Sequence, residues 1–165
     1  MDIDRIKELF EERRPSYSIE EAAALIGIAS SQIQHHFDEG AVTPLHLPGE
    51  VRVGWADVVQ LGLIHRWSLQ LITEAVRGSS AETLLPPLVR ATPGTLVLPR
   101  YQWTVLDLLA SERKRTQGRP WNASDVVEEA LRSFLIEGDW ERLEAQAPGI
   151  RAALEWPAND LDDES

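Results

Sequence analysis

The chain has 165 residues, 43% of them hydrophobic and 26% charged, which supports one medium domain or two small ones and excludes a chain that is disordered throughout. Its formal net charge of −11 excludes a general nucleic-acid coat, because such a protein must neutralise phosphates. The absence of cysteine excludes disulfides and thiolate metal sites, and no apolar run reaches the roughly 18 residues of a membrane-spanning helix.

The first segment, MDIDRIKELFEERR, is charged and amphipathic and lacks the apolar centre of a secretory signal, so a cytoplasmic protein is expected. Ile3, Ile6 and Phe10 recur at helical spacing, which predicts a helix over 2–13 that ends at Pro15. Ser18 and Glu21 have the spacing of a capping box, and Gly27 suits a left-handed helix end, so SIEEAAALIG is a second helix. Ser30 is expected to cap a third helix that runs to about Glu39 and is closed by Gly40. Two short alternating runs flank Pro48-Gly49 and read as a small hairpin. Trp55 opens a longer helix with a break near Ser68.

Residues 78–94 are dense in Ser, Pro and Gly and read as a linker, although Leu84, Leu85, Leu88 and Val89 suggest that it packs on something. Thr95–Leu98 is a short β-prone run stopped by Pro99. A helix over 101–115 follows, with Trp103, Leu106, Leu109 and Ala110 on one face. Asn122, with Asp125 at the reciprocal position, caps a further helix whose apolar face is Val126/Val127, Ala130/Leu131 and Phe134/Leu135. Beyond Gly138, Pro148-Gly149 divides two short helices, and NDLDDES reads as a solvated tail. The charge is uneven along this order. Residues 1–77 hold 7 basic and 12 acidic residues, 78–119 hold 6 and 3, and 120–165 hold 3 and 12.

The segment YSIEEAAALIGIASSQIQHHFDEGAVTPLHLPGEVRVGWADVVQLGLIHRW resembles, in order, the winged helix-turn-helix of MerR-type regulators and their excisionase-like relatives. The resemblance implies that Ser30, Ser31, Gln32, Gln34 and His35 face the DNA major groove and that His46 and Arg52 belong to a wing resting on the backbone. Gln can pair bidentately with adenine, and Ser can bond to bases or phosphate. This chain departs from the pattern in having no Arg or Lys in the reading helix and Glu50 at the tip of the wing. The competing reading is a helix-turn-helix kept for packing or for a protein contact. His35, His36, His46 and His65, with Asp38 nearby, show no i, i+4 ligand pair, and ordinary surface or half-buried histidines account for them. No metal or other cofactor is expected.

The segment GTLVLPRYQWTVLDLLASERKRTQGRPWNASDVVEEALRSFL resembles a ribbon-helix-helix unit. One strand and two short helices, about 42 residues, bury too little apolar area alone, and two interlocked copies bury both faces. Alternation along the strand turns Leu96 and Leu98 inward and Thr95 and Val97 outward. The resemblance implies a homodimer held by Leu96, Leu98, Val127, Leu131 and Phe134, with Thr95 and Val97 towards the groove. It also implies a phosphate grip at the start of the second helix, from Asn122 with Arg113, Lys114, Arg115 and Arg119. The plainer account of those cations is that they complement the dipole at the first helix's C-terminal end.

The expected architecture is mainly α: a winged helix-turn-helix over 1–77, a linker over 78–94, a ribbon-helix-helix dimerisation unit over 95–137, and short acidic C-terminal helices with a tail over 138–165. The expected function is that of a homodimeric, sequence-specific protein binding double-stranded DNA, a bacterial transcriptional regulator. One alternative is an antitoxin-like or adaptor protein whose segment 138–165, with Trp140 and Trp156 exposed, binds a small basic protein. Another is a nucleoid or plasmid-partition protein. No phosphate loop, nucleophile elbow or metal pair points to an enzyme, and the adjacent acids Glu128-Glu129 and Asp162-Asp163 read as solvated surface. No membrane partner is expected.

Overall fold

The computed structural model describes residues 2–90, 94–134 and 137–157, with all their side chains except those of Phe134 and Glu137. The roles expected of the Phe134 side chain, of Leu135 and of the acidic tail lie outside the described residues. The fold is mainly helical with a small three-stranded antiparallel sheet. Its elements are α1 (Asp2–Glu11), β1 (Ser16–Ser18), α2 (Ile19–Ile26), α3 (Ser30–Asp38), β2 (Leu45–Leu47), β3 (Glu50–Gly54), α4 (Trp55–His65) and α5 (Leu69–Val76). A 3₁₀ turn (Ser80–Leu84) follows, then α6 (Arg100–Gln117), α7 (Ala123–Phe134), α8 (Glu137–Gln146) and α9 (Ile150–Glu155).

Local chemistry sets several boundaries. Ser18 accepts the N–H of Glu21 and Glu21 accepts that of Ser18, so α2 starts with a full capping box. Gly27, at φ 80°, closes α2 in the left-handed conformation. Ser68 separates α4 from α5 and caps α5 by accepting the N–H of Leu71. At α3 the cap is Ala29, not Ser30: Ala29 has extended dihedrals and its N–H donates to Gln32 Oε1 at 2.9 Å. The glutamine satisfies that donor, so the boundary falls one residue early and Ser30 becomes the first helical residue.

The expected hairpin at Pro48-Gly49 forms, and the sheet has a third strand. Its order is β1-β3-β2, with Tyr17 opposite Val53 and His46 opposite Val51. Tyr17 is the one buried residue of β1. The core gathers Ile6, Leu9 and Phe10 from α1, Tyr17, Ile26, Ile33, Val53, Trp55, Leu61, Trp67 and Ile72. Trp55 meets Phe10 edge-on with ring centroids 5.1 Å apart, and its Nε1 donates to the carbonyl of Leu9 at 3.0 Å. Trp67 lies flat enough on α4 that a Cβ on Gly62 would stand 2.0 Å from its ring, so only glycine fits there.

Two stretches join this core from outside the expected first domain. Ala81, Leu85 and Val89 are buried in it, so the supposed linker is a wrapping segment that packs through its apolar positions. Trp156 is buried in it as well, 6.5 Å from Phe10 between ring centroids. Its exposure was expected from its place at a helical end; the return of α9 onto α1 reverses that.

Candidate nucleic-acid interface

The residues expected to read DNA lie on α3, which packs against α2. Ile33 is the buried residue of α3 and anchors the helix to the core. Ser31, Gln32, Gln34 and His35 are exposed, and Ser30 is half-buried. Gln32 is partly committed, because its carbonyl oxygen holds the Ala29 N–H. Gln34 therefore has the freer amide for bidentate pairing with a base edge. His35 Nε2 stands 3.1 Å from Glu39 on the next turn.

In the hairpin, His46 is exposed on β2, but Arg52 on β3 is not a free cation. It donates to Ser16 Oγ at 2.9 Å, to the Ser16 carbonyl at 3.0 Å and to Glu50 Oε1 at 2.9 Å, with Glu21 3.8 Å away. It ties β3 to β1, a strand that composition did not reveal. Glu21 is held below its ordinary value first by the Ser18 N–H and then by Arg14, whose guanidinium bonds it at 2.9 Å.

The two adjacent histidines of α3 face different ways, as their spacing requires. His36 turns inward, and its Nε2 lies 2.7 Å from Nε2 of His65 on α4. One ring must donate and the other accept, so two neutral rings here hold opposite tautomers. Burial, followed by the nearby His36, pushes His65 below its ordinary value. No group of three or more metal-ligating side chains exists among the described residues.

The second set of site residues is arranged differently from the expectation. Thr95–Leu98 is not a strand within the chain: residues 94–99 have no regular structure and pair with no strand among the described residues. Thr95, Leu96 and Val97 are exposed and Leu98 is half-buried; Val97 reaches 87% exposure. Of the expected dimer residues on α7, Val127 is half-buried and Leu131 is 57% exposed.

Asn122 caps α7 by accepting the N–H groups of Ser124 and Asp125. Asp125 answers by accepting the Asn122 N–H at 2.8 Å. The buried Asp125 carboxylate thus occupies the helix start where a phosphate was expected. Arg119 bonds Asp125 at 2.8 Å, donates to the Leu63 carbonyl at 2.6 Å and stacks 4.4 Å over Trp121. These bonds make it an internal strut from α7 to α4. Arg113, inside α6, pairs with Glu129 at 3.0 Å. Lys114 and Arg115 are the exposed cations of the cluster, with no ion pair among the described residues.

No known protein family, curated protein or solved structure matches the chain.

Proposed function

We propose that the chain is a homodimeric, sequence-specific DNA-binding protein whose α3 enters the major groove, and that its cellular role is transcriptional regulation. The observation that carries this is the solvent face of α3. Ser31, Gln32 and Gln34 stand clear of the core on the second helix of the α2–α3 pair. These are uncharged hydrogen-bonding groups able to match base edges. In this reading Gln34 reads, Gln32 assists, and Arg52 and Arg119 hold the scaffold.

Grip is the weak part of such a site, since phosphate contacts supply most of the affinity. Two copies supply what one cannot. On α6, Tyr101, Val105 and Leu108 follow an i, i+4, i+7 stripe, with Leu108 at 65% exposure. Leu96, Val97 and Leu131 are exposed as well, and a second copy of the same unit would cover such apolar residues. Residues 94–99 would then pair across the two copies as a ribbon.

A mobility-shift titration at low salt tests the reading. Duplex binding that selects a subset of sequences is the expected result. Gln34→Ala should relax selection at one base pair, costing about 1–3 kcal/mol there. Replacing Lys114 and Arg115 with Ala should weaken all duplexes alike and flatten the salt slope by about 2. No shift on random or selected duplexes at low salt overturns the proposal.

A further inference from the structure

The start of α3 engages one of the helix's own side chains. Ala29, the residue before the helix, has no side-chain oxygen with which to cap it. Gln32 closes the turn from the other side. Its backbone N–H donates to the Ala29 carbonyl at 2.9 Å, and its Oε1 accepts the Ala29 N–H at 2.9 Å. Two bonds between the same two residues hold the side chain at the helix start. They also fix which end of the amide is which, because a backbone N–H bonds an acceptor and the amide oxygen is the acceptor. Nε2 is the end left over, and it bonds no group among the described residues.

Gln34 is placed differently. Neither end of its amide bonds a group among the described residues, so oxygen and nitrogen can be presented together. Residues two apart do not share a helix face, so the two amides flank the buried Ile33 on opposite sides. The bases differ in what they offer such groups. In the major groove guanine shows the acceptors N7 and O6, thymine the acceptor O4, adenine the acceptor N7 beside the donor N6, and cytosine the donor N4. Bidentate pairing with adenine uses both ends of an amide; a lone donor suits an acceptor edge and is opposed by cytosine.

We propose that Gln32, its oxygen anchored to the Ala29 N–H, is a specificity-determining residue that reads one base as a hydrogen-bond donor alone, accepting guanine or thymine and rejecting cytosine. The inference rests on the DNA-binding reading above and gives Gln32 a chemistry different from that of Gln34. With its oxygen directed at Ala29, Gln32 meets a base through Nε2. Opposite cytosine that donor faces the donor N4, and both lose water without gaining a partner. Adenine gains nothing over guanine, since pairing with both of its groups calls on the oxygen that holds Ala29.

Selection from a randomised duplex pool at low salt is the test. Gln32→Ala marks the position whose preference is lost. There the parent chain should disfavour cytosine about tenfold and show no preference for adenine over guanine. Gln32→Glu keeps an oxygen for the Ala29 N–H and replaces the donor with an acceptor, so cytosine, through N4, should become favoured at that position about tenfold over guanine. Each preference is a ratio within one variant, so the added charge cancels. Ala29→Pro removes the N–H without touching Gln32, and the φ of −79° suits proline. The freed amide should then raise adenine about tenfold over guanine. Helical circular dichroism checks that each variant is folded, and Gln32→Glu, an exposed change, decides even where Ala29→Pro does not fold. Selection unaltered by Gln32→Ala, a parent preference for adenine, a Gln32→Glu preference equal to the parent's, or no gain of adenine in folded Ala29→Pro overturns the donor assignment and leaves DNA binding standing. A shift on no duplex overturns that reading and this inference with it.

Discussion

In residues 2–90, Phe10, Tyr17, Trp55 and Trp67 are each at 1% exposure or less. In residues 94–134, Ala110, Asp125 and Val126 are the buried residues among those described, while Tyr101, Leu108 and Leu131 stand more than half exposed. Both regions have helices with apolar positions at helical spacing, so periodicity does not separate them. What separates them is the number of layers. The first region has a sheet and five helices to close over its apolar faces, whereas the second has one helix hairpin and a segment that joins no sheet among the described residues. The same pattern that completes a core in one region leaves a surface in the other.

The largest expected effect tests the closed side of that contrast. Trp67→Ala should cost about 4 kcal/mol, since the site loses a buried indole with little room to collapse. Gly62→Ala should cost about 3 kcal/mol by forcing that same indole away, its new Cβ overlapping the ring at 2.0 Å from the nearest atom. Urea unfolding followed by circular dichroism measures both. Losses under about 1 kcal/mol would mean that the first region is not the tightly packed one.

Next in size is the strut between the two regions. Arg119→Met should cost about 3 kcal/mol because it leaves the Asp125 carboxylate buried without its cation. Adding Asp125→Asn should recover a large part of that loss, with the double variant read by the same unfolding curves. No recovery would place the cost in the lost stacking on Trp121.

The open side is tested by Leu108→Glu. A charge on that stripe should weaken self-association about 100-fold, roughly 2.7 kcal/mol, with little change in the unfolding of residues 2–90. Sedimentation velocity across a concentration series reads it. A chain that is monomeric before substitution, or equally dimeric after it, removes the reason given for the exposed α6 face.

How far the sequence foretold each region follows from the range of the interactions involved. The capping box of Ser18 and Glu21, the Gly27 helix end, the break at Ser68, the Pro48-Gly49 hairpin and the Asn122–Asp125 cap are local, within four residues, and were legible. The third strand was not, because three residues give no alternation to read and Tyr17 shows its burial only once Val53 stands opposite. Arg52 and Arg119 carry the right charge for phosphate, but Ser16 and Leu63, which hold them, are 36 and 56 residues away. The burial of Trp156 against Phe10 had no local signal at all. The exposed face of Ser31 and Gln34, by contrast, follows from Ile33 and Phe37 packing inward on the other side of α3.

The smallest effect expected lies in the seam between α3 and α4, and it sharpens the contrast because it acts on the first region alone. His65 is pushed below its ordinary value of 6.5 by burial and by His36; Glu39 is the acid nearby, 4.0 Å from Nδ1 of His36. The folded chain therefore resists a proton that the unfolded chain accepts. Stability from this group is full above pH 6.5 and falls as the pH drops through 6.5 towards the lower folded value, where the slope ends. The Glu21 contribution is lost separately and at lower pH, below the ordinary 4.5, because its value is depressed and its proton must break the bonds from Ser18 and Arg14. His65→Gln keeps a hydrogen-bonding group opposite His36 and removes the titration. Melting temperatures from about pH 7.5 to about pH 5 should fall less steeply in that variant than in the parent. Parallel curves would assign the acid sensitivity to other groups and leave the His36–His65 contact as simple packing.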